Sequence, residues 1–129
     1  MSERAFPVIY AEDVERSVRF YETLGFDEHV RLPSDGEPGY VGLRRGDWEL
    51  AVVTAQSPQQ LIGVEIGSKP RFEMFVYVAA VDRQVEQLRV AGVSVLREAE
   101  DMFWGERVAW VVDPDGNPVA LAAGSAGER

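Results

Sequence analysis

A chain of 129 residues, 46% of them hydrophobic, holds enough apolar material for one core and too little for a second independent domain. Its 22 acidic against 13 basic side chains give a net charge of −9, which argues against nucleic acid or an anionic membrane surface as partner and suits a cationic ligand, although charge of this size also simply keeps a protein soluble. With no cysteine, disulfides, thiolate catalysis and zinc–thiolate centres are excluded. No run reaches the roughly 18 apolar residues of a membrane span, and Met1-Ser2-Glu3-Arg4 leads straight into a strand pattern, so a cytoplasmic location is expected.

In chain order, a first strand over 6–11 leads into residues 13–24. There Val14, Val18, Tyr21 and Leu24 recur at three- and four-residue steps, which predicts an amphipathic helix with Gly25 as its left-handed exit. Strands are predicted over 26–32, 40–45 and 48–54, the first two separated by the turn-rich tract Pro33 to Gly39. Residues 55–71, with Ser57-Pro58, Gly63, Gly67 and Pro70, read as a long connection that could cover a site, pack on a second subunit or serve only as a linker. The pattern then repeats 67 positions on. A strand over 72–79 precedes a helix over 81–91 with Val81, Val85 and Leu88 inward, Gly92 closes it, and strands follow over 93–97, 106–112 and 119–122. The reading is a single α+β domain over 1–129, built as βαβββ in duplicate: module one at about 5–54, a linker at 55–71 and module two at about 72–123, forming a cupped mixed sheet around a cleft.

Strand alternation divides the first strand of each module into two faces. Pro7, Ile9, Ala11, Met74, Val76 and Val78 are apolar and belong under the helices, whereas Phe6, Val8 and Tyr10, with their repeats Glu73, Phe75 and Tyr77, face the cleft. Trp110 and Val112 share the cleft parity, and Phe103 and Trp104 stand at its entrance beside Gly105. An aromatic-walled slot with an acid stacks a planar ligand and pairs a cationic nitrogen. Glu73 is the foremost acid and Glu49, of cleft parity, the second. Each has a plainer reading. Strand-face aromatics such as Phe75 and Tyr10 commonly fill a core, and Glu73 could be held by Arg71, Arg45 or Arg107. Trp48 is assigned to packing, His29 to a surface strand position, and Asp113 to Asn117 to a turn.

The tract Pro7-Val8-Ile9-Tyr10-Ala11-Glu12-Asp13-Val14-Glu15-Arg16-Ser17-Val18-Arg19-Phe20-Tyr21, with Leu24-Gly25-Phe26, resembles the opening module of the glyoxalase/bleomycin-resistance/extradiol-dioxygenase (vicinal oxygen chelate) superfamily. Trp104-Gly105-Glu106-Arg107 and Val112-Asp113-Pro114-Asp115-Gly116-Asn117 resemble its closing hairpin, so the likeness spans about residues 5–123 and is nearest the bleomycin-resistance-type drug-binding branch. Metal-dependent relatives place ligands at positions that fall here on Phe6, Glu73, Ala120 and, by subtracting 67, Val53. Three of these are apolar, and a lone carboxylate cannot hold a divalent ion, so no metal and no cofactor is expected. The resemblance implies a non-catalytic antibiotic-binding homodimer with grooves between subunits and exchanged N-terminal arms, as Pro7 suggests. Its ligand contacts would be Phe6, Val8, Glu49, Val53, Glu73, Phe75, Phe103, Trp104, Trp110 and Ala120. The alternative is a metal-independent isomerase, cyclase or lyase of a natural-product pathway, with Glu73 as general acid or base in apolar surroundings.

Overall fold

Asp13 has extended backbone, and its carboxylate accepts the Arg16 amide hydrogen at 3.1 Å, so the first helix begins where a side chain can satisfy one of its orphan donors. The computed structural model describes residues 4–63 and 65–124. In chain order the elements are β1 (Val8–Ala11), α1 (Val14–Glu22), β2 (Asp27–Leu32), β3 (Tyr40–Arg45), β4 (Trp48–Thr54), α2 (Ser57–Ile62), β5 (Met74–Tyr77), α3 (Val81–Val90), β6 (Val95–Asp101), β7 (Glu106–Val112) and β8 (Pro118–Gly124). They fall into two compact units, divided between Ser68 and Lys69. Each holds one four-stranded mixed sheet, in the order β1-β4-β3-β2 and β5-β8-β7-β6, with the first strand parallel to the last and the other pairings antiparallel. The predicted α+β architecture of two βαβββ modules is the architecture found.

In the first unit α1 lies on β2, β3 and β4. Its apolar stripe, Val14, Val18 and Tyr21, is buried together with Leu24, and so are Ile9, Ala11, Val41, Leu43, Leu50 and Val52 on one face of the sheet. Tyr21 meets Phe20 and Phe26 edge-on, with centroids at 4.9 and 6.0 Å. The second unit repeats this construction: α3 covers β6, β7 and β8 and buries Val81, Val85 and Leu88 against Val76, Ala109, Val111, Val119 and Leu121. Both helices exit through a glycine of positive φ, Gly25 at 94° and Gly92 at 91°. Ion pairs on the exposed margin tie helix to sheet: Arg31 reaches Glu15 of α1 and Glu28 of β2, and Arg107 reaches Asp82 of α3 and Asp101 of β6.

Several details depart from the sequence reading. Residues 55–71 contain a helix, α2, with Pro58 in its first turn, where a missing N–H costs nothing, and Gly63 at φ 70° as its stop. β1 and β5 begin two residues later than expected, while β6 runs from Val95 to Asp101. The internal repeat also changes phase. Val8 pairs with Ala51 and Phe75 with Ala120, so the strand counterpart of Ala120 is Ala51 rather than Val53. The stretch from Gly92 to Ala120 is 28 positions against 26 from Gly25 to Ala51, two longer. A shift of two preserves the face, so Val53 remains on the side away from the helix.

The Asp113 to Asn117 tract is a structural clamp. Asp113 Oδ1 accepts the amides of Asp115 and Asn117 at 2.9 and 2.8 Å, and Oδ2 accepts Asn117 Nδ2 at 2.9 Å. The Arg71 amide donates to Asn117 Oδ1 at 3.1 Å, fixing the chain just ahead of β5. Both side chains are buried, and mutual hydrogen bonding is what makes that burial tolerable.

Candidate functional site

Each sheet has a second face, away from its helix, and on the second unit that face is aromatic. β8 runs between β5 and β7, so β5 and β7 lie roughly 9 to 10 Å apart. Between them β8 presents the small residues Ala120 and Ala122, with Gly124 opposite Glu106. Over Ala120, Phe75 of β5 meets Trp110 of β7 edge-on at 6.3 Å. Beyond Ala122, the Tyr77 hydroxyl hydrogen-bonds the Glu106 carboxylate, and this bond, with lesser effects of burial and of the Glu106 charge, raises the Tyr77 pKa. Alanines on the middle strand are what allow both bridges.

The hairpin between β6 and β7 completes this face. Gly105, at φ 97°, and the pairing of the Met102 amide with the Glu106 carbonyl at 2.7 Å fold the hairpin back, so that Trp104 Nε1 donates to Glu106 Oε1 at 2.8 Å. Phe103 stands edge-on to Trp104 at 5.0 Å and is 97% exposed. Phe75, Tyr77 and Trp104 are also exposed, while Trp110 and Met102 are half-buried over Val108, Ala120 and Ala122. The Arg97 guanidinium, paired with Glu100 at 3.2 Å, lies 5.9 Å from the Trp110 centroid, so this ring already carries a planar cation.

The corresponding face of the first unit is built around charge. Val8 and Phe6 are exposed, Tyr10 is half-buried, and Ala51, Val53 and Gly42 lie beneath. Glu49 is bound by Arg4 through two contacts of 2.8 and 2.6 Å, and its side chain keeps only 11% of its exposure. The Arg4 hydrogen bonds lower the Glu49 pKa, outweighing desolvation. Arg4 itself lies over the Phe6 ring at 5.4 Å. A bulge between Glu28 and Val30 sends His29 to the same place, with Nε2 3.5 Å from Glu49 Oε1. Val30 and His29 both crowd Gly42: a Cβ there would stand 2.6 Å from Val30 Cγ1.

The ten expected contact residues are therefore distributed unevenly. Phe75, Trp110, Trp104 and Phe103 share one face of the second unit, with Ala120 fully buried as its floor. Phe6, Val8, Glu49 and Val53 share one face of the first unit, Val53 being 7% exposed. Glu73 is exposed ahead of β5, outside the apolar enclosure that a catalytic role presumed, and it pairs with none of the three arginines proposed for it. Trp48, expected to pack, is 77% exposed at the tip of the β3–β4 hairpin. The structure adds Glu106 and His29 to the residues of interest and gives Tyr77, already expected on this face, a partner in Glu106. Glu106 shares the strand parity of Val108 and Trp110, a signal present in the sequence.

The metal chemistry of such folds finds no fit in these side chains. Phe6, Ala120 and both Val53 and its register-corrected equivalent Ala51 offer no lone pair, which leaves Glu73 alone. Among the described residues no group of three His, Asp or Glu side chains is placed to hold an ion.

The sheet order, the helix placement and the closing hairpin coincide with a known family. The profile of the Glyoxalase/Bleomycin resistance protein/Dioxygenase superfamily matches residues 5–121. The chain belongs to that superfamily. Among solved members of this fold, a glyoxalase-related enzyme from Fulvimarina pelagi is 27% identical, with a TM-score of 0.75 over 99% of this chain and 96% of that one. TioX from Micromonospora sp. ML1 is 20% identical, with a TM-score of 0.79 over 95% and 99%. A bleomycin-binding protein solved in complex with bleomycin is 24% identical, with a TM-score of 0.60 over 96% and 100%. At these identities the last two speak for the fold. No match was found among curated proteins. The superfamily includes enzymes as well as drug-binding proteins, so membership alone leaves the activity open.

Proposed function

We propose that this protein is a metal-independent small-molecule binder of the bleomycin-resistance type, which sequesters a planar antibiotic as a homodimer. The observation that carries the reading is the bridged aromatic face of the second unit, where Phe75 and Trp110 meet over Ala120 and exposed Trp104 and Phe103 stand alongside. Rings oriented by sheet pairing, as Phe75 and Trp110 are, or by a hydrogen bond, as Trp104 is, stack a planar ligand with less conformational entropy left to lose. The guanidinium over Trp110 indicates that this surface accepts flat cations. The overall charge of −9 favours the same class. Structural kinship with a bleomycin-binding protein agrees with a small-molecule ligand.

The test is a titration of the protein against bleomycin, quinone-type and other planar antibiotics, followed by tryptophan fluorescence, with the mass of each ligand measured before and after. Saturable quenching at about one site per chain, unchanged ligand mass, and a loss of affinity of about tenfold or more in Trp104→Ala or Trp110→Ala are expected, given that aromatic stacking on a planar ligand contributes roughly 1 to 3 kcal/mol. A changed ligand mass would contradict sequestration and redirect attention to catalysis.

A further inference from the structure

The described acids of the two open faces can be compared by what neutralises them. Glu49 is matched by Arg4 in a two-point contact, and Glu100 by Arg97. Glu73 stands exposed ahead of β5. Glu106 differs from all three. It is half-buried, it accepts Trp104 Nε1–H at 2.8 Å and the Tyr77 hydroxyl, and both donors are neutral. No described cationic side chain forms an ion pair with it; its neighbour Arg107 points to the helix side and is engaged by Asp82 and Asp101.

Neutral donors orient a carboxylate without cancelling its charge. Here they come from two exposed aromatic rings, so the uncancelled charge lies between the surfaces on which a flat molecule would stack. We propose that Glu106, fixed by Trp104 and Tyr77, is the specificity-determining anion of the ligand site, selecting planar aromatic cations over neutral planar molecules of the same shape. This rests on the reading of the aromatic face as the ligand site, and it moves the cation-pairing role from Glu73 to Glu106. The arrangement sets ring faces beside an oriented anion, and each strengthens recognition of a delocalised cation. Small residues on β8 serve it too, since Tyr77 lies opposite Ala122 and Glu106 opposite Gly124, and the contact between them runs diagonally over that strand.

Calorimetric titration with N-methylacridinium, a permanent cation, and acridine, its neutral counterpart at pH 8, tests this directly. The wild-type protein should bind the cation about tenfold more tightly than the neutral ring. Glu106→Gln keeps an acceptor for the indole N–H, so it should fold normally and bind acridine within about twofold of wild type, while the cation preference falls to near unity. Glu73→Gln should retain the preference. Equal binding of both probes by the wild type, or an unchanged preference in Glu106→Gln, overturns the assignment of Glu106 and leaves the aromatic site standing. Loss of preference in Glu73→Gln instead returns the role to Glu73. Binding of neither probe overturns the aromatic site and the Glu106 assignment together.

Discussion

At the scale of single residues, two positions in the first sheet owe their behaviour to neighbours distant in sequence. Glu49 is held charged by Arg4, 45 positions earlier, with His29 close by. Its pKa is lowered in the folded protein, so its contribution to stability is present above the unfolded value and is lost as pH falls through the folded one. Denaturation midpoints followed from about pH 5 to pH 2 should therefore fall less steeply for Glu49→Gln than for wild type, and parallel curves would show that the pair contributes nothing. Gly42 is the second case. It sits opposite a bulge whose Val30 methyl would be 2.6 Å from any Cβ, and a branched side chain has little room to turn away. Gly42→Ala should destabilise by about 1 to 3 kcal/mol in urea unfolding. Neither His29 nor Gly42 could be understood from alternation, because one extra residue in the strand breaks the period of two on which that reasoning depends. The face of Glu106 is legible from strand parity, but its donors are not, because they come from a hairpin folded back at Gly105 and from a strand two places away in the sheet.

At the scale of elements, the helices were legible because burial imposes a period. Val14, Val18, Tyr21, Val81, Val85 and Leu88 are all at most 6% exposed, and of the strand residues expected beneath them Ile9, Ala11 and Val76 are buried, whereas Met74 and Val78 are half-buried and Pro7, ahead of β1, is exposed. α2 was not legible. Over Ser57 to Ile62 only Pro58 is buried, and Leu61 and Ile62 are 78% and 67% exposed, so packing imposes no stripe. The caps differ as well. α1 has Asp13, whereas α3 begins after Ala80 with no side-chain cap. Asp13→Ala should cost about 1 kcal/mol of stability, read by thermal or chemical unfolding. The Asp113–Asn117 clamp matters more. Asn117→Ala would remove the Oδ1 acceptor of the Arg71 amide and the Nδ2 donor to Asp113 Oδ2, for an expected loss of about 2 to 4 kcal/mol, and an effect under about 0.5 kcal/mol would refute its structural role. The sequence had marked this tract as a turn. Its side-chain closure onto residue 71 depends on contacts across 46 positions.

At the scale of the whole molecule, the duplicated βαβββ plan follows from sequence because both halves carry the same helix stripe and glycine exit, and family membership confirms it. Fold of this kind leaves chemistry to the side chains placed on it. On the open face of the second unit those side chains are aromatic rings around the Glu106 carboxylate, and the matched metal positions Phe6, Val53 and Ala120 supply no ligand set, which is the basis of the binding proposal. The homodimer in the proposal predicts a solution mass of about 28.8 kDa, twice the chain's 14.4 kDa, by light scattering; a stable 14.4 kDa species with full ligand affinity would refute it. The central claim is that the ligand sits on the open face of the second unit, and the three tryptophans report on it by position. The decisive measurement is a titration of nitrogen-15-labelled protein with N-methylacridinium, watching the three indole N–H resonances. The account predicts large saturable shifts for Trp104 and Trp110 and none for Trp48, whereas shifts confined to Trp48, or none at all, would contradict it.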